Sequence, residues 1–404
     1  MQKDIYKKKN LLLLGASGGL ASAFLQEFQY QRDELIHTLV LLDKEDSLLR
    51  NPYLDHKKLS YIFLNEELAF PDKTQAYITI LQKYHIDLVI DLTDVDTPPI
   101  YEATDSQHVS YLNTAMNHEI KTSHELVVDV YKQKDQPTNA PHLLCSGMNP
   151  GIVNMWVQEG VEEFGIPENI VHFEFDSSTF VTGWKPTITW SKKEFLVEAI
   201  KDPSGIMHSR DEMEPVLPNG LSKRTDMTAL LSPLIDLRTY PKGMQILHEE
   251  NVSVAMKYNI PSQFIYAIHP KTMDYLEKLY AKKQDVDEDD LIHVTNTDKK
   301  LSGYDMVCVR LEYSDKDVYY SNTMYNADNI GTSATYKQVV VGLYAGAMTL
   351  LREDLLNKVY FVEDLPHTLF SSFMHEHMVV EKKVVEKTLD NSLSDTPETT
   401  SLLV

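Results

Sequence analysis

The sequence is short of cysteine, of basic residues and of long apolar runs, and each shortage excludes something. Cys145 and Cys308 are its only cysteines and lie far apart, so they form neither a disulfide framework nor a metal-spaced or redox pair and suit a reducing cytosol. Lys and Arg number 38 against 60 Asp and Glu, a net charge of −22. That deficit opposes nucleic-acid partners, because nothing is left over to neutralise phosphates, while an acidic surface attracts small cations. No run of eighteen apolar residues exists, so no membrane span is expected. The opening MQKDIYKKKNLLLLGASGG sets basic residues before four leucines in the manner of a signal peptide. Its apolar run is too short, however, and flows straight into a glycine turn, which reads as a buried strand. There is no H-E-x-x-H, G-x-S-x-G or P-loop, and hence no support for metalloprotease, serine hydrolase or P-loop NTPase chemistry. Tyr53 and Lys57 match a Tyr-x-x-x-Lys dyad in letters but fall too early in the chain, and His375 and His377 lack a nearby third ligand. No metal is expected, and there are no internal repeats.

What is present is an alternation of short apolar runs and helical patterns over the first 145 residues, the pattern of βαβ units and a parallel sheet. Strands are predicted at 11–15, 37–43, 59–65, 86–93, 108–114 and 142–147, with helices from Ala21 to Tyr30 and over 73–85. After Asn149-Pro150-Gly151 the habit changes. A helix is predicted over 151–164, followed by strand-like alternation at 170–181, 186–191, 234–241, 252–259 and 264–269. Residues 305–326 read as two strands around a polar turn at 314–317. A long apolar helix at 334–352 and a strand at 358–365 return to the first domain by analogy with inserted-domain folds. Residues 284–290 read as a solvated acidic loop. The fold class expected is α/β, an N-terminal Rossmann-type parallel sheet with an inserted α+β catalytic domain of mostly antiparallel strands. The divisions are 1–148, 149–330, 331–387 and a disordered tail at 388–404.

Gly15-Ala16-Ser17-Gly18-Gly19-Leu20-Ala21 lies between a predicted strand and a predicted helix. Gly15 allows a tight turn, Gly18 lets backbone amides approach a pyrophosphate, and Ala21 permits close helix–strand packing. The helix N-terminus then offers N–H groups and partial positive charge to phosphates. Asp43 ends the second predicted strand, where a carboxylate accepts hydrogen bonds from ribose hydroxyls and disfavours a 2′-phosphate. NAD is therefore the expected cofactor, held by Gly15, Ser17, Gly18, Gly19, Leu20 and Asp43, with Thr93 and Pro150 as further contacts.

Other residues carry two readings each. Asn149 suits a helix N-cap with Pro150 at the first helical position; it also suits a place beside the nicotinamide, where strands end. Glu194 and Glu198 share one helix face, either as solvated surface or, with Trp190, as a site for an organic cation. His269, before Pro270, is either a proton shuttle or a structural histidine.

Together these residues resemble the saccharopine dehydrogenase superfamily and, within it, the bacterial homospermidine synthases. The resemblance runs through Gly147-Met148-Asn149-Pro150-Gly151-Ile152-Val153, through Thr189-Trp190-Ser191 with Glu198, through Tyr266 to Pro270, and through Gln338-Val339 and Ala345-Gly346. It implies an NAD-dependent enzyme acting on C–N bonds, in which Trp190 and Glu198 hold an aminoalkyl cation. Asn149 would orient the reacting amine, His269 or Glu119 would move protons, and NAD would be recycled in place. A saccharopine-type reductase joining an amino acid to a carbonyl compound is the alternative, and a non-catalytic NAD-binding scaffold a second one. The expected partner is a small cationic amine or amino acid, with no nucleic acid and no membrane, in a cytoplasmic homodimer.

Overall fold

The computed structural model describes residues 8–30, 35–46, 51–209, 212–214, 216–283, 285–294, 300–366 and 369–387. The tail expected at 388–404 lies outside these residues. The four leucines of β1 (Lys9–Leu14) are wholly buried, as befits a central parallel strand covered on both faces. Around it stand β2 (Ile36–Asp43), β3 (Ile62–Asn65), β4 (Leu88–Asp91), β5 (Ser110–Asn113) and β6 (His142–Leu143). The helices between them are α1 (Gly19–Phe28), α2 (Thr74–Lys83), α3 (Thr97–Asp105) and α4 (Ser123–Gln133). Local chemistry fixes their starts: Thr122 and Glu125 form a capping box on α4, and α3 has proline in its first turn.

The rest of the chain builds a second sheet and then returns. Its main elements are α5 (Ile152–Phe164), β7 (Asn169–Asp176), α6 (Lys192–Leu196), β8 (Lys242–Ile246), α7 (Glu249–Tyr258), β9 (Ser262–Ile268), α8 (Pro270–Lys283), β10 (Tyr304–Glu312) and β11 (Lys316–Tyr325). After these come α9 (Ala334–Arg352), β12 (Val359–Tyr360), α10 (Leu369–His377) and β13 (Glu381–Glu386). The first sheet is seven-stranded and wholly parallel, in the order β12-β6-β5-β4-β1-β2-β3. The chain thus changes direction between β1 and β4, which is where ligands bind in sheets of this kind. The nine-stranded second sheet runs Glu212–Met213, Met207–Ser209, β9, β7, β10, β11, β13, with β8 and Arg224–Asp226 also joined through β9. It is mixed, because β7 and β9 pair in parallel and their neighbours antiparallel. The class is α/β.

Two predicted strands are not strands, and a third is shorter than expected. Residues 252–259 belong to α7, whose Val252, Val254 and Ala255 are all fully buried. A helix enclosed on every side shows no polar stripe, so Val-Ser-Val-Ala imitates the two-residue period of a sheet. Residues 234–241 form an irregular connection, and strand structure in 186–191 shrinks to Thr187–Ile188. The predicted strand at 170–181 breaks at Ser178, whose amide donates to the Asp176 carboxylate at 2.8 Å. The turn of the β10–β11 hairpin closes from Tyr313 to Lys316.

Helix α9 packs on α1 and against β4, β5 and β6, and β12 adds to the parallel sheet beside β6. Gly342 lets α9 press onto the Gly147 backbone, where a Cβ would enter the carbonyl, and Gly346 makes room for the Ser146 and Leu143 side chains; Ser146 Oγ donates to Gly342 O at 3.0 Å. Among the described residues no helix is long and apolar enough to cross a membrane.

Candidate active site

A cavity of about 640 Å3 opens where the ends of β1, β2, β4 and β5 face β7, β8 and β9. Its first half is built by the glycine turn. Gly15 has φ +69°, and a Cβ there would stand 2.6 Å from Leu92 O, so both backbone conformation and close approach demand glycine. Helix α1 starts at Gly19 with no side-chain cap and no acid in its first turn. Its leading N–H groups therefore face the cavity with their partial positive charge uncompensated. A Cβ on Gly19 would lie 2.8 Å from Tyr336 Cε2, so that position is a cradle between helix and ring. Tyr336 arrives from α9 and its hydroxyl meets His293 Nε2 at 3.1 Å. Asp43, at the end of β2, accepts from Ser17 N at 2.9 Å and Glu45 N at 3.1 Å, which holds the turn and the carboxylate together. These groups fit a dinucleotide pyrophosphate and ribose.

The other half is acidic and aromatic. Along β7 the two-residue period puts His172, Glu174 and Asp176 on one face and Val171, Phe173 and Phe175 on the other, in a separate apolar cluster. Glu174 Oε2 accepts from Asn149 Nδ2 at 2.7 Å. Burial raises Glu174 well above the usual carboxylate range, with Asp305 pushing the same way. Asp305 itself rises to about 8, through burial and the nearby Asp176. Trp190 Nε1 donates to Tyr266 Oη at 3.1 Å, and Tyr266 stacks on Phe264 with ring centroids 6.0 Å apart. Ser191 Oγ caps α6, and the helix widens into a π turn over Val197–Lys201 that carries Glu198. Glu194 and Glu198 both reach the cavity.

His248 sits among three carboxylates, 3.3 Å from Glu198 Oε2, 3.2 Å from Glu249 Oε2 and 2.7 Å from Glu250 Oε2. Burial alone would lower it, but Glu198, Glu250 and Glu249 together hold its imidazole well above the ordinary histidine range. Burial lifts Glu198 to about 7 despite His248. Ligand atoms of His248, Glu249 and Glu250 lie within 4.8 Å of one another, close enough to surround one cation. Glu249 Oε1 also accepts from Met116 N at 3.1 Å, tying this cluster to the loop after β5.

Of the residues singled out from the sequence, Gly15, Gly18, Gly19, Leu20, Asp43, Thr93, Asn149, Pro150, Trp190 and Glu198 all line this one cavity. Ser17 is not in its lining; its hydroxyl donates to Glu45 O at 2.7 Å. Asn149 is no helix cap: α5 begins at Ile152, beyond Pro150, and it is Asn154 Oδ1 that accepts from Gly151 N at 2.8 Å. Glu119 is exposed on the turn after β5 and outside the lining, whereas Glu174 lines the cavity beside Asn149. His269 is also outside the lining, and its Nδ1 accepts from Lys271 N at the start of α8. Sequence reasoning passed over Glu174, Asp305, His248, Glu249 and Thr335. The readable signal was His-x-Glu-x-Asp at period two inside the apolar run of 170–176, since charges on a buried strand face require a partner or a task.

No protein-family model matches the sequence, and no curated protein matches it. Among solved structures, the homospermidine synthase of Legionella pneumophila, crystallised in complex with NAD, superposes with a TM-score of 0.74 at 16% identity, over 100% of this chain and 97% of that one. A putative D-mannonate oxidoreductase from Haemophilus influenza with bound NAD aligns over 34% of this chain with a TM-score of 0.24 and 9% identity. The ADP-L-glycero-D-manno-heptose-6-epimerase of Helicobacter pylori aligns over 42% with a TM-score of 0.25 and 12% identity. The chain therefore shares the whole fold of the Legionella protein, both sheets included.

Proposed function

We propose that this protein is an NAD-dependent enzyme that exchanges amines at carbon, joining two primary amines into a secondary amine with loss of ammonia, as a homospermidine synthase does. One observation carries the choice of substrate. The end of the cavity beyond the glycine turn is lined by Glu174, Glu194, Glu198 and Glu249 with Trp190, Phe264 and Tyr266; the cation there is His248, already matched by Glu198, Glu249 and Glu250, and Lys44 lines the dinucleotide end beside Asp43. A diamine offers two cationic ends and an apolar middle, which is what four carboxylates and three aromatic faces recognise. An amino acid and a keto acid bring carboxylates that this lining would repel, so the saccharopine-type reading loses its support.

NAD bound along the turn would take a hydride from the carbon bearing the first amine and later return it. The protein's own groups then divide the remaining work. Asn149 donates to Glu174 and fixes its carboxyl, which removes a proton from the amine to be oxidised. Trp190 covers the carbon chain, and Glu198 with Glu249 holds the far ammonium. The apolar and aromatic walls exclude water, which would otherwise hydrolyse the imine. Buried thiols at Cys145 and Cys308 suit a reducing compartment.

The test is purified protein with putrescine and a catalytic amount of NAD, product read by mass spectrometry. Homospermidine and ammonia in equal amounts, with no net NADH, are expected. Bound NAD without any secondary amine would overturn the reading. A Trp190→Ala variant that keeps NAD but loses turnover separates an enzyme from a scaffold.

A further inference from the structure

Behind Glu174 the structure holds a continuous run of side-chain hydrogen bonds that amine binding does not require. Glu174 on β7 and Asp305 on the paired strand β10 lie on the same face of the sheet, close enough that each shifts the other's titration. Asp305 Oδ2 lies 2.5 Å from Thr335 Oγ1, Thr335 Oγ1 3.0 Å from Thr189 Oγ1, and Thr189 Oγ1 2.6 Å from Asp176 Oδ2; with Asp305 protonated, each oxygen in turn donates to the next. Two hydroxyls thus join three carboxyls drawn from β7 and β10. All five side chains are buried, and among the described residues none of their hydrogen-bond partners is a Lys or Arg. Three carboxylates so placed cannot all be ionised, because each charge would lack both water and a counter-ion. The hydroxyls can rotate, each accepting on one side as it donates on the other.

We propose that the run Glu174–Asp305–Thr335–Thr189–Asp176 is a proton store that takes up protons from the amines early in the cycle and returns them at its end. The proposal rests on the amine-exchange reading above. The net reaction is R–NH3+ + R′–NH3+ → R–NH2+–R′ + NH4+, which neither releases nor consumes a proton. Its steps do both. The first ammonium ion loses one proton as its C–H electron pair leaves as hydride and an iminium ion forms. The second loses one so that its lone pair can attack, a C–N bond forming and the bond to the departing nitrogen breaking. When hydride returns to carbon, the secondary amine and the ammonia each take a proton back. Protons lost to bulk water between these steps would strand the cycle part-way; a closed set of carboxyls keeps them beside the nitrogen that needs them. Glu174 meets substrate, and the other four are positioning residues acting through it.

The neighbours of the store are few. Tyr266 from β9, paired with Glu174, faces it and is itself held protonated by burial and by these acids, whereas Cys308 from β10 lies on the opposite face of the sheet beside Phe173. Asp176 feels His269, half-buried at the end of β9, as the titratable group on the solvent side. His269 therefore stands where the outer end of the store would exchange with water.

The test begins with ligand-free protein. Infrared difference spectra at neutral pH should contain the carbonyl stretch of a protonated carboxylic acid. Asp305→Asn should remove intensity from that band, Thr335→Val should shift its frequency, and Thr335→Ser should restore it. With NAD and putrescine, a pH-indicator dye should detect no proton in bulk water during a first turnover of the wild type. About one proton per site should appear transiently with Thr335→Val, with kcat about tenfold lower at unchanged KM. A spectrum without a protonated-acid band, or a band indifferent to both Asp305→Asn and Thr335→Val, overturns the store whatever the activity. A wild type that shows the band yet makes no secondary amine overturns the amine-exchange reading, and the store then has no cycle to serve; the two failures are distinct.

Discussion

Glu198 gives a quantitative test of the site's electrostatics, because its carboxyl is lifted from 4.5 to about 7 by burial. Replacing it by glutamine keeps shape and removes ionisation. For an acid whose folded value lies above its unfolded one, the native state binds more protons, so stability falls as pH rises between the two values. At 1.36 kcal/mol for each tenfold change, the wild type loses about 3 kcal/mol through this one group across that window. Most of the loss, about 2.5 kcal/mol, falls between pH 5 and pH 8 by the same linkage. The Glu198→Gln variant escapes it. With an unfolding entropy of about 2.1 cal/mol/K per residue, that energy moves the melting temperature of a chain this long by about 3 °C. Scanning calorimetry on both proteins at pH 5 and pH 8 is the assay. The difference between variant and wild type should shift in the variant's favour by about 3 °C from the lower pH to the higher. An equal difference at both values would refute the idea that burial lifts the Glu198 carboxyl. The same variant should bind putrescine more weakly, so stability and recognition move in opposite directions.

Three further outcomes follow from the geometry. Trp190→Ala should weaken diamine binding by about 2 kcal/mol, roughly thirtyfold, with NAD affinity unchanged by titration calorimetry. Gly19→Ala sets a methyl 2.8 Å from the Tyr336 ring and should raise the Kd for NAD about tenfold, which fluorescence titration would read. Gly342→Ala drives a Cβ into the Gly147 carbonyl and should cost on the order of 3 kcal/mol, seen as a lower melting temperature or loss of soluble protein.

The first half of the chain was legible because its signals are local. A run such as Leu11–Leu14 followed by Gly15 can hardly be anything but a buried parallel strand feeding a tight turn, and Asp43 follows at the end of the neighbouring strand. The second half was less so. Residues 252–259 were misread because a fully enclosed helix loses the polar face that betrays its period, and 264–269 gave a strand whose parallel pairing with β7 depends on α5, α7 and distant partners. The cavity divides the same way. Its dinucleotide half comes from one contiguous motif, whereas Glu174, Glu249 and Thr335 meet there only through tertiary packing. Asn149 shows the limit plainly: its position suited a helix cap, and only the fold reveals that its amide turns to Glu174 instead.

The return of α9 to the first sheet has a bearing on how the chain is made. Helix α1 presents Phe24 and Phe28 toward the cluster that α9 completes, yet α9 begins at Ala334, some three hundred residues later. While the ribosome is still translating the intervening stretch, one flank of a six-stranded parallel sheet, not yet joined by β12, stays wet and greasy. Chaperone dependence during synthesis should be greatest in that interval and should vanish once Arg352 has cleared the exit tunnel.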